Sequence, residues 1–184
     1  LAIAGPSEIV TNYLLGTAQY TPDDFQYVLN AIATPLILVD REDSPWKSYQ
    51  EWVEHVKSHP GEVRVGIVGK TSLGPLTLQR LIMATNLDFV LVPYDQGGPA
   101  LAAMLAGELD GVLLSQASIR DVEGVRPLFT IAPERVQSMP DVPSINEHSG
   151  VDENLGTFSP LGIVAPKGVP QEILTIIHDA YKAA

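Results

Sequence analysis

The chain predicts an α/β fold built on a mostly parallel sheet. Three observations lead there. Short apolar runs of strand character alternate with helical patterns of ordinary length. The 184 residues are 45% hydrophobic and only 18% charged, enough for one domain with a sizeable core or for two small lobes. No internal repeat or low-complexity tract interrupts the alternation.

Leu1-Ala2-Ile3-Ala4 reads as the end of a buried strand. Gly5-Pro6-Ser7 follows, with Ser7 capping a helix that carries Ile9, Val10, Tyr13 and Leu14 and closes at Gly16. Thr21-Pro22-Asp23-Asp24 is a turn. Residues 32–39 are apolar but broken at Thr34-Pro35, and Leu36-Ile37-Leu38-Val39 reads as a buried strand. Ser44-Pro45 offers an N-cap and a first-turn proline to a helix with Trp46, Tyr49, Trp52, Val53 and Val56 at helical spacing. His59-Pro60-Gly61 stops it. Residues 63–68 form a strand, and a helical pattern with Leu78, Leu81 and Ile82 runs from Pro75 to near Asn86. Residues 89–92 are a short strand. Gly97-Gly98-Pro99 starts a helix with Leu101, Met104 and Leu105 on its buried face and Gly107 as its C-terminal cap. Strands follow at 112–114, 126–131 and 161–165. Residues 133–154 are polar and proline-rich, with one short helix near Ser144-Ile145-Asn146-Glu147, and a last helix spans 172–181.

The formal net charge is -11 and the pI near 4.6, which argues against nucleic acid and anionic membrane surfaces as partners. Cysteine is absent, which excludes disulfides, thiolate metal sites and cysteine nucleophiles. No apolar run reaches the roughly 20 residues of a membrane span. The abrupt apolar start at Leu1 and the stop inside a helical pattern at Ala184 read as cut ends of a longer protein, and no signal peptide is expected within the chain.

In α/β sheets ligands lie beyond the carboxyl ends of the strands. The residues to weigh are therefore Gly5-Pro6-Ser7, Gly69-Lys70-Thr71-Ser72, residues 94–98 from Tyr94, and Ser115-Gln116. The stretch from Val63 to Pro75 carries the strongest signal: strand, small-residue loop, helix N-terminus. That order places free backbone N–H groups and a positive dipole end at one spot. It reads equally as an anion site or as a turn closed by a capping hydroxyl. A nucleotide P-loop, G-x-x-x-x-G-K-[ST], would need glycine where Arg64 stands, and the dinucleotide pattern is missing too. His55 and His59 lie four apart but lack a metalloprotease partner, so solvated helix positions are expected and no metal or other cofactor is. Asp23-Asp24 and Glu42-Asp43 read as solvated turn charges, Trp46 and Trp52 as core. Phe158, just before a strand, either walls a ligand cleft or packs in the core.

The order of several motifs resembles the solute-binding receptors of tripartite tricarboxylate transporters, the Bug receptors. The resemblance rests on Thr34-Pro35-Leu36-Ile37-Leu38-Val39, Ser44-Pro45-Trp46, His59-Pro60-Gly61, Val92-Pro93-Tyr94 with Gly98-Pro99-Ala100, and Gly107-Glu108-Leu109-Asp110. It also rests on Met139-Pro140-Asp141-Val142-Pro143-Ser144 and on the stretch Leu161-Gly162-Ile163-Val164-Ala165-Pro166-Lys167-Gly168-Val169-Pro170. The resemblance implies a periplasmic-binding-protein-like, type II, two-lobed clamshell, with one lobe complete and the other partial. It implies residues 1–39 as a partial first lobe, 40–157 as the second lobe, and 158–184 as the return to the first. It implies a periplasmic or extracytoplasmic, non-enzymatic receptor that takes a small organic carboxylate and serves the membrane subunits of a transporter. The ligand residues implied are Gly69, Lys70, Thr71 and Ser72, with Gly5, Pro6 and Ser7 from the first lobe and Phe158 and Ser159 near the cleft. Tyr94 and Ser115 join them from the strand ends. The family's Pro/Gly-rich loop would precede Leu1 and its closing helices would follow Ala184, so self-association through the open face of the partial lobe is expected. Pro75 stands where the family commonly has His, and Lys70 and Leu73 where it has small residues. The competing functions are an enzyme acting on a small anionic metabolite and the effector-binding domain of a transcription regulator.

Overall fold

The computed structural model describes residues 2–183. The chain divides into two compact units, one of residues 1–33 and 159–184 and one of residues 34–158. The border expected after residue 39 falls instead between 33 and 34. The reason is that the strand Leu36–Arg41 is paired on both sides within the second unit's sheet. Phe158 likewise closes the second unit, and the return segment starts at Ser159.

In the first unit, β1 (Ala2–Ala4), β2 (Phe25–Thr34) and β8 (Ser159–Pro166) form a sheet in the order β1-β8-β2. β1 and β8 are antiparallel, Ala2 opposite Val164 and Ala4 opposite Gly162. β1 was expected to be buried, yet Ala2 and Ile3 are exposed, and Leu1 lies outside the described residues. A turn at Gly5-Pro6 leads into a helical stretch, Ser7–Thr11 and then α1 (Asn12–Leu14), which Gly16 ends at φ +69°. Ser7 does not cap it. Pro6 holds the cap position and makes no side-chain bond, while Glu8 Oε2 accepts from the Gly5 N–H at 2.9 Å. A single turn at Pro22–Asp24 is held by Asp24 Oδ2 accepting from the Thr21 N–H at 2.7 Å. Backbone bonds from Lys167 to the Asp24 carbonyl (2.7 Å) and from Val169 to Gln26 Oε1 (3.0 Å) then set the start of α7 (Gln171–Ala183). Leu174 is the buried residue of that helix, whereas Ile173, Ile176 and Tyr181 are exposed, as are Tyr27 and Ile32 of β2.

The second unit carries β3 (Leu36–Arg41), β4 (Arg64–Val68), β5 (Val90–Tyr94), β6 (Gly111–Ser115) and β7 (Val125–Thr130), ordered β5-β4-β6-β3-β7. β4 is parallel to β5 and β6, but β3 is antiparallel to both β6 and β7, so the sheet is mixed rather than mostly parallel. Both edge strands contain proline, Pro93 and Pro127. The helices are α2 (Tyr49–Ser58), α3 (Leu73–Thr85), α4 (Gly97–Leu105), α5 (Gln116–Ile119) and α6 (Ile145–His148).

Strand alternation divides the core into two layers. Leu38, Val65, Ile67 and Leu113 meet α2 and α3 on one face. Ile37, Val39, Val112 and Leu114 meet α4 and α5 on the other. Trp52 anchors the first layer, its ring 5.2 Å from Phe89 and 5.5 Å from Phe129. Each such buried side chain contributes about 1.5–3 kcal/mol. Tyr49 packs 4.1 Å from Phe129 and donates its hydroxyl to the Ile145 carbonyl at 3.0 Å, and burial pushes that phenol above its ordinary range.

The cap of α2 is Ser48, whose side chain accepts from the Glu51 N–H, not Ser44. Trp46 therefore precedes the helix and is buried for a different reason. Its Nε1 donates to Asp40 Oδ2 at 2.5 Å, and Arg126 donates to that same oxygen at 2.6 Å and to the Trp46 carbonyl at 2.7 Å. Asp40 and Arg126 face each other across the β3–β7 ladder. Asp40 is fully buried, and that burial pushes its carboxyl above the usual range against the opposing pull of Arg126. His55 and His59 were expected to be solvated, but they are half-buried and stacked at 4.1 Å, with His55 4.7 Å from Trp46.

Asp40→Ala leaves the Arg126 charge without its partner, so urea denaturation should show a loss of about 3–5 kcal/mol. Arg135 forks onto Glu147 at 2.9 and 2.7 Å and holds that carboxyl below its ordinary value. The folded-state value lies below the unfolded one, so this stabilisation is present above the ordinary glutamate range and disappears as pH falls through the folded value. Thermal melts between pH 7 and 3 should lose less stability for Glu147→Gln than for the unmodified chain.

Candidate functional site

β4, β5 and β6 finish at one edge of the second unit's sheet, Val68 beside Tyr94 and, two residues earlier, Gly66 beside Val112. β7 ends there as well, and β3 starts there, Leu36 opposite Ser115. The four C-terminal ends thus bring the loop Gly69-Lys70-Thr71-Ser72 alongside Tyr94 and Ser115.

The loop turns at Gly69, whose φ of +70° suits glycine. The Gly69 N–H donates to the Tyr94 carbonyl at 3.0 Å, tying the loop to β5. α3 begins at Leu73, two residues before the expected start at Pro75. Ser72 stands at the cap position, but its hydroxyl donates back to the Val68 carbonyl at 2.8 Å and makes no bond to the helix. The first helical donor in use is the Leu76 N–H, bonded to the Ser72 carbonyl at 3.2 Å. Among the described residues, the N–H groups of Lys70, Thr71, Ser72, Leu73 and Gly74 have no protein acceptor. Pro75 has no N–H to leave open. Lys70 and Thr71 are exposed, and Lys70 makes no ion pair among the described residues.

Gly74 is what lets α3 start so close to the sheet. A Cβ there would stand 2.6 Å from Leu36 Cδ1 and 2.7 Å from Leu113 Cδ2. α4 starts at the same edge from the other face, capped by Gln96 without a side-chain bond. The Ser115 and Ser118 hydroxyls bond at 2.9 Å beside it. Ser118 was not expected, though its i, i+3 spacing from Ser115 signals such a pair. Thr130 closes β7 fully buried, with its hydroxyl unpartnered among the described residues.

The remaining expected residues lie elsewhere. Phe158 is half-buried at the end of the second unit, its carbonyl accepting from Thr157 Oγ1 at 3.1 Å. Gly5, Pro6, Ser7 and Ser159 belong to the first unit. There, a Cβ on Gly5 would come within 2.9 Å of the Pro160 carbonyl. Gly5 and Pro6 border a cavity of about 110 Å³ with Tyr27, Asn30 and Pro160. Among the described residues, no group of three or more His, Asp or Glu is placed to hold a metal ion, and no helix is long and apolar enough to cross a membrane.

A family model described as Tripartite tricarboxylate transporter family receptor matches residues 2–184. The UPF0065 protein in the gbd 5' region of Cupriavidus necator is 32% identical over 163 residues, 88% of this chain and 49% of that protein. The chain thus spans about half the length of the relatives it matches. Among solved structures, R. palustris Rpa4515 with adipate is 25% identical with a TM-score of 0.85, covering 98% of this chain and 62% of that one. MatC (Rpa3494) from Rhodopseudomonas palustris with bound malate is 28% identical with a TM-score of 0.70, covering 90% and 57%. These likenesses place the fold among periplasmic binding proteins of type II, and the family and its structural neighbours are receptors rather than enzymes.

Gly74→Val drives two methyl groups into Leu36 and Leu113, so chemical denaturation should register a loss of about 1–3 kcal/mol. The amide resonances of residues 70–73 should move with it, because the start of α3 must lift from the sheet.

Proposed function

The chain belongs to the tripartite tricarboxylate transporter receptor family, and on that premise we propose that it is the carboxylate-capturing part of a periplasmic receptor. One observation carries the reading. Among the described residues, five consecutive backbone N–H groups, from Lys70 to Gly74, have no protein acceptor at the start of a 13-residue helix, and Lys70 beside them makes no ion pair. Donors of this kind hold a carboxylate by charge-assisted bonds, and the helix dipole adds its positive end. Two structural neighbours have been solved with adipate and with malate, both small organic acids.

In this reading Gly69, Lys70, Thr71 and Ser72 form the carboxylate cradle, with Tyr94 and Ser115 at its sides. Gly5, Pro6, Ser7, Phe158 and Ser159 enter on the family resemblance alone. The bound acid stabilises whichever conformation of the receptor holds it more tightly. The receptor then delivers it to the membrane subunits of a transporter.

Leu73→Pro tests the cradle with little disturbance. Proline is favoured at a first helical position, and Ser72 before it has the extended backbone (φ -73°, ψ 161°) that proline demands of its neighbour. The substitution removes one open N–H that no protein group uses. Titration of a ¹⁵N-labelled sample with adipate, malate and citrate should shift the amides of residues 70–74. A bond from a neutral donor to a charged group contributes about 1.5–3 kcal/mol, so Leu73→Pro should weaken binding about tenfold or more. Lys70→Ala should weaken it too and reduce its dependence on salt. Equal shifts with the neutral diamide of adipic acid, or unchanged affinity in Leu73→Pro, would refute the cradle.

A further inference from the structure

The second unit contains a cavity of about 330 Å³ between α5 and the edge strand β7, on the face of the sheet that carries α4. That volume lies at the lower end of the range for small-molecule sites. Ile119, Val122, Val125, Pro127 and Met139 supply its apolar lining. Its polar lining is Gln116 and Arg120.

Two features separate this cavity from an ordinary surface dent. The first is the state of Arg120. Arg41, Arg64, Arg80, Arg126 and Arg135 each pair with a carboxylate, but Arg120 makes no ion pair or side-chain hydrogen bond among the described residues. The chain has 22 acidic residues against 11 basic ones, so an unpaired guanidinium is the exception in it. The second is the sign of the lining. No carboxylate contributes to it, and both polar members present donors. Ser138 donates its hydroxyl to Gln116 Oε1 at 2.9 Å, which orients the amide and leaves both Nε2 hydrogens without an acceptor among the described residues.

We propose that this cavity is a second ligand site, for an amphipathic monocarboxylate: one carboxylate on a short aliphatic or aromatic body. The guanidinium of Arg120 offers a forked pair of N–H donors that match a carboxylate. The Gln116 amide adds a third donor, and the apolar lining accepts the hydrocarbon. Dicarboxylates fit poorly, because their second charge would enter an apolar lining without a partner. The site is distinct from the cradle at Gly69 to Gly74, which lies at the ends of β4 and β5, and it stands whether or not that cradle binds an acid.

The test is residue-resolved titration of the ¹⁵N-labelled chain with benzoate, hexanoate and, as the uncharged control, benzyl alcohol. Benzoate and hexanoate should shift the amides of Gln116, Arg120, Val122, Val125 and Met139, and benzyl alcohol should do so at least about tenfold more weakly. Arg120→Gln should reduce benzoate affinity about tenfold, because it removes the charge and the forked donors that face the carboxylate. Arg120 is exposed, so the variant should keep the unmodified chain's spectrum elsewhere. Leu73→Pro should leave these shifts unchanged. Benzyl alcohol binding as well as benzoate, undiminished affinity in Arg120→Gln, or shifts confined to residues 69–74 would overturn the proposal.

Discussion

The second unit hangs on β3. It is the strand through which the chain enters, it pairs on both sides, and it reverses the direction of an otherwise parallel sheet. Its ends do different work. At one end Asp40 is buried with Arg126 and Trp46, a pairing that holds the β3–β7 register next to an irregularity between Leu38 and Val39. Buried ion pairs of this type contribute little net stability against an apolar substitute, but removing one partner is costly. At the other end Leu36 packs against the start of α3 and sets how near that helix comes to the sheet.

The cradle proposed at the strand ends follows from that closeness. A helix terminus is attractive to anions only over its first turn, and here the turn is left open because the one hydroxyl at the cap position points back to the strand. The net charge of -11 repels anions at long range. For the proposed cradle to hold an acid, local backbone donors have to outweigh a diffuse field, which screening over roughly 8–10 Å at physiological salt makes feasible. The cavity lined by Arg120 solves the same problem differently, by concentrating a side-chain cation where no acid lines the wall.

Much of this was legible in the residues. The strands at Leu36, Val65 and Val112 are continuous apolar runs bounded by turn residues, and buried sheet strands read that way. The short helix at Ile145 was announced by Ser144 and Glu147, a reciprocal capping pair. What was not legible depended on three-dimensional competition. Ser44 and Ser48 are equally good caps by type, and Trp46 decided between them by bonding to Asp40 instead of joining the helix. Strand direction does not appear in composition, so the reversal at β3 was invisible. The anion-binding look of Gly69 to Ser72 was visible, but not that Ser72 would spend its hydroxyl on Val68. The cavity beside Arg120 had no signal, since its lining comes from α5, β7 and a loop distant in sequence.

The backbone bonds at the mouth of the second unit bear on how the chain folds. The Leu36 carbonyl accepts from Ile131 at 2.9 Å, and the Ile131 carbonyl accepts from Thr157 at 2.6 Å. The point where the chain enters this unit and the point where it leaves are thus tied through one residue. The first unit, by contrast, is discontinuous, and its pairing of Ala4 with Gly162 closes a very long loop. Once residues 34–158 are folded, the free chain between those partners shrinks to residues 5–35 and 158–161. Loop-closure entropy rises with the logarithm of free length, so the inserted unit acts as an entropic staple. Non-local pairing that would otherwise be slow closes a shorter loop, and assembly acquires an order: the contiguous unit first, the split one after it.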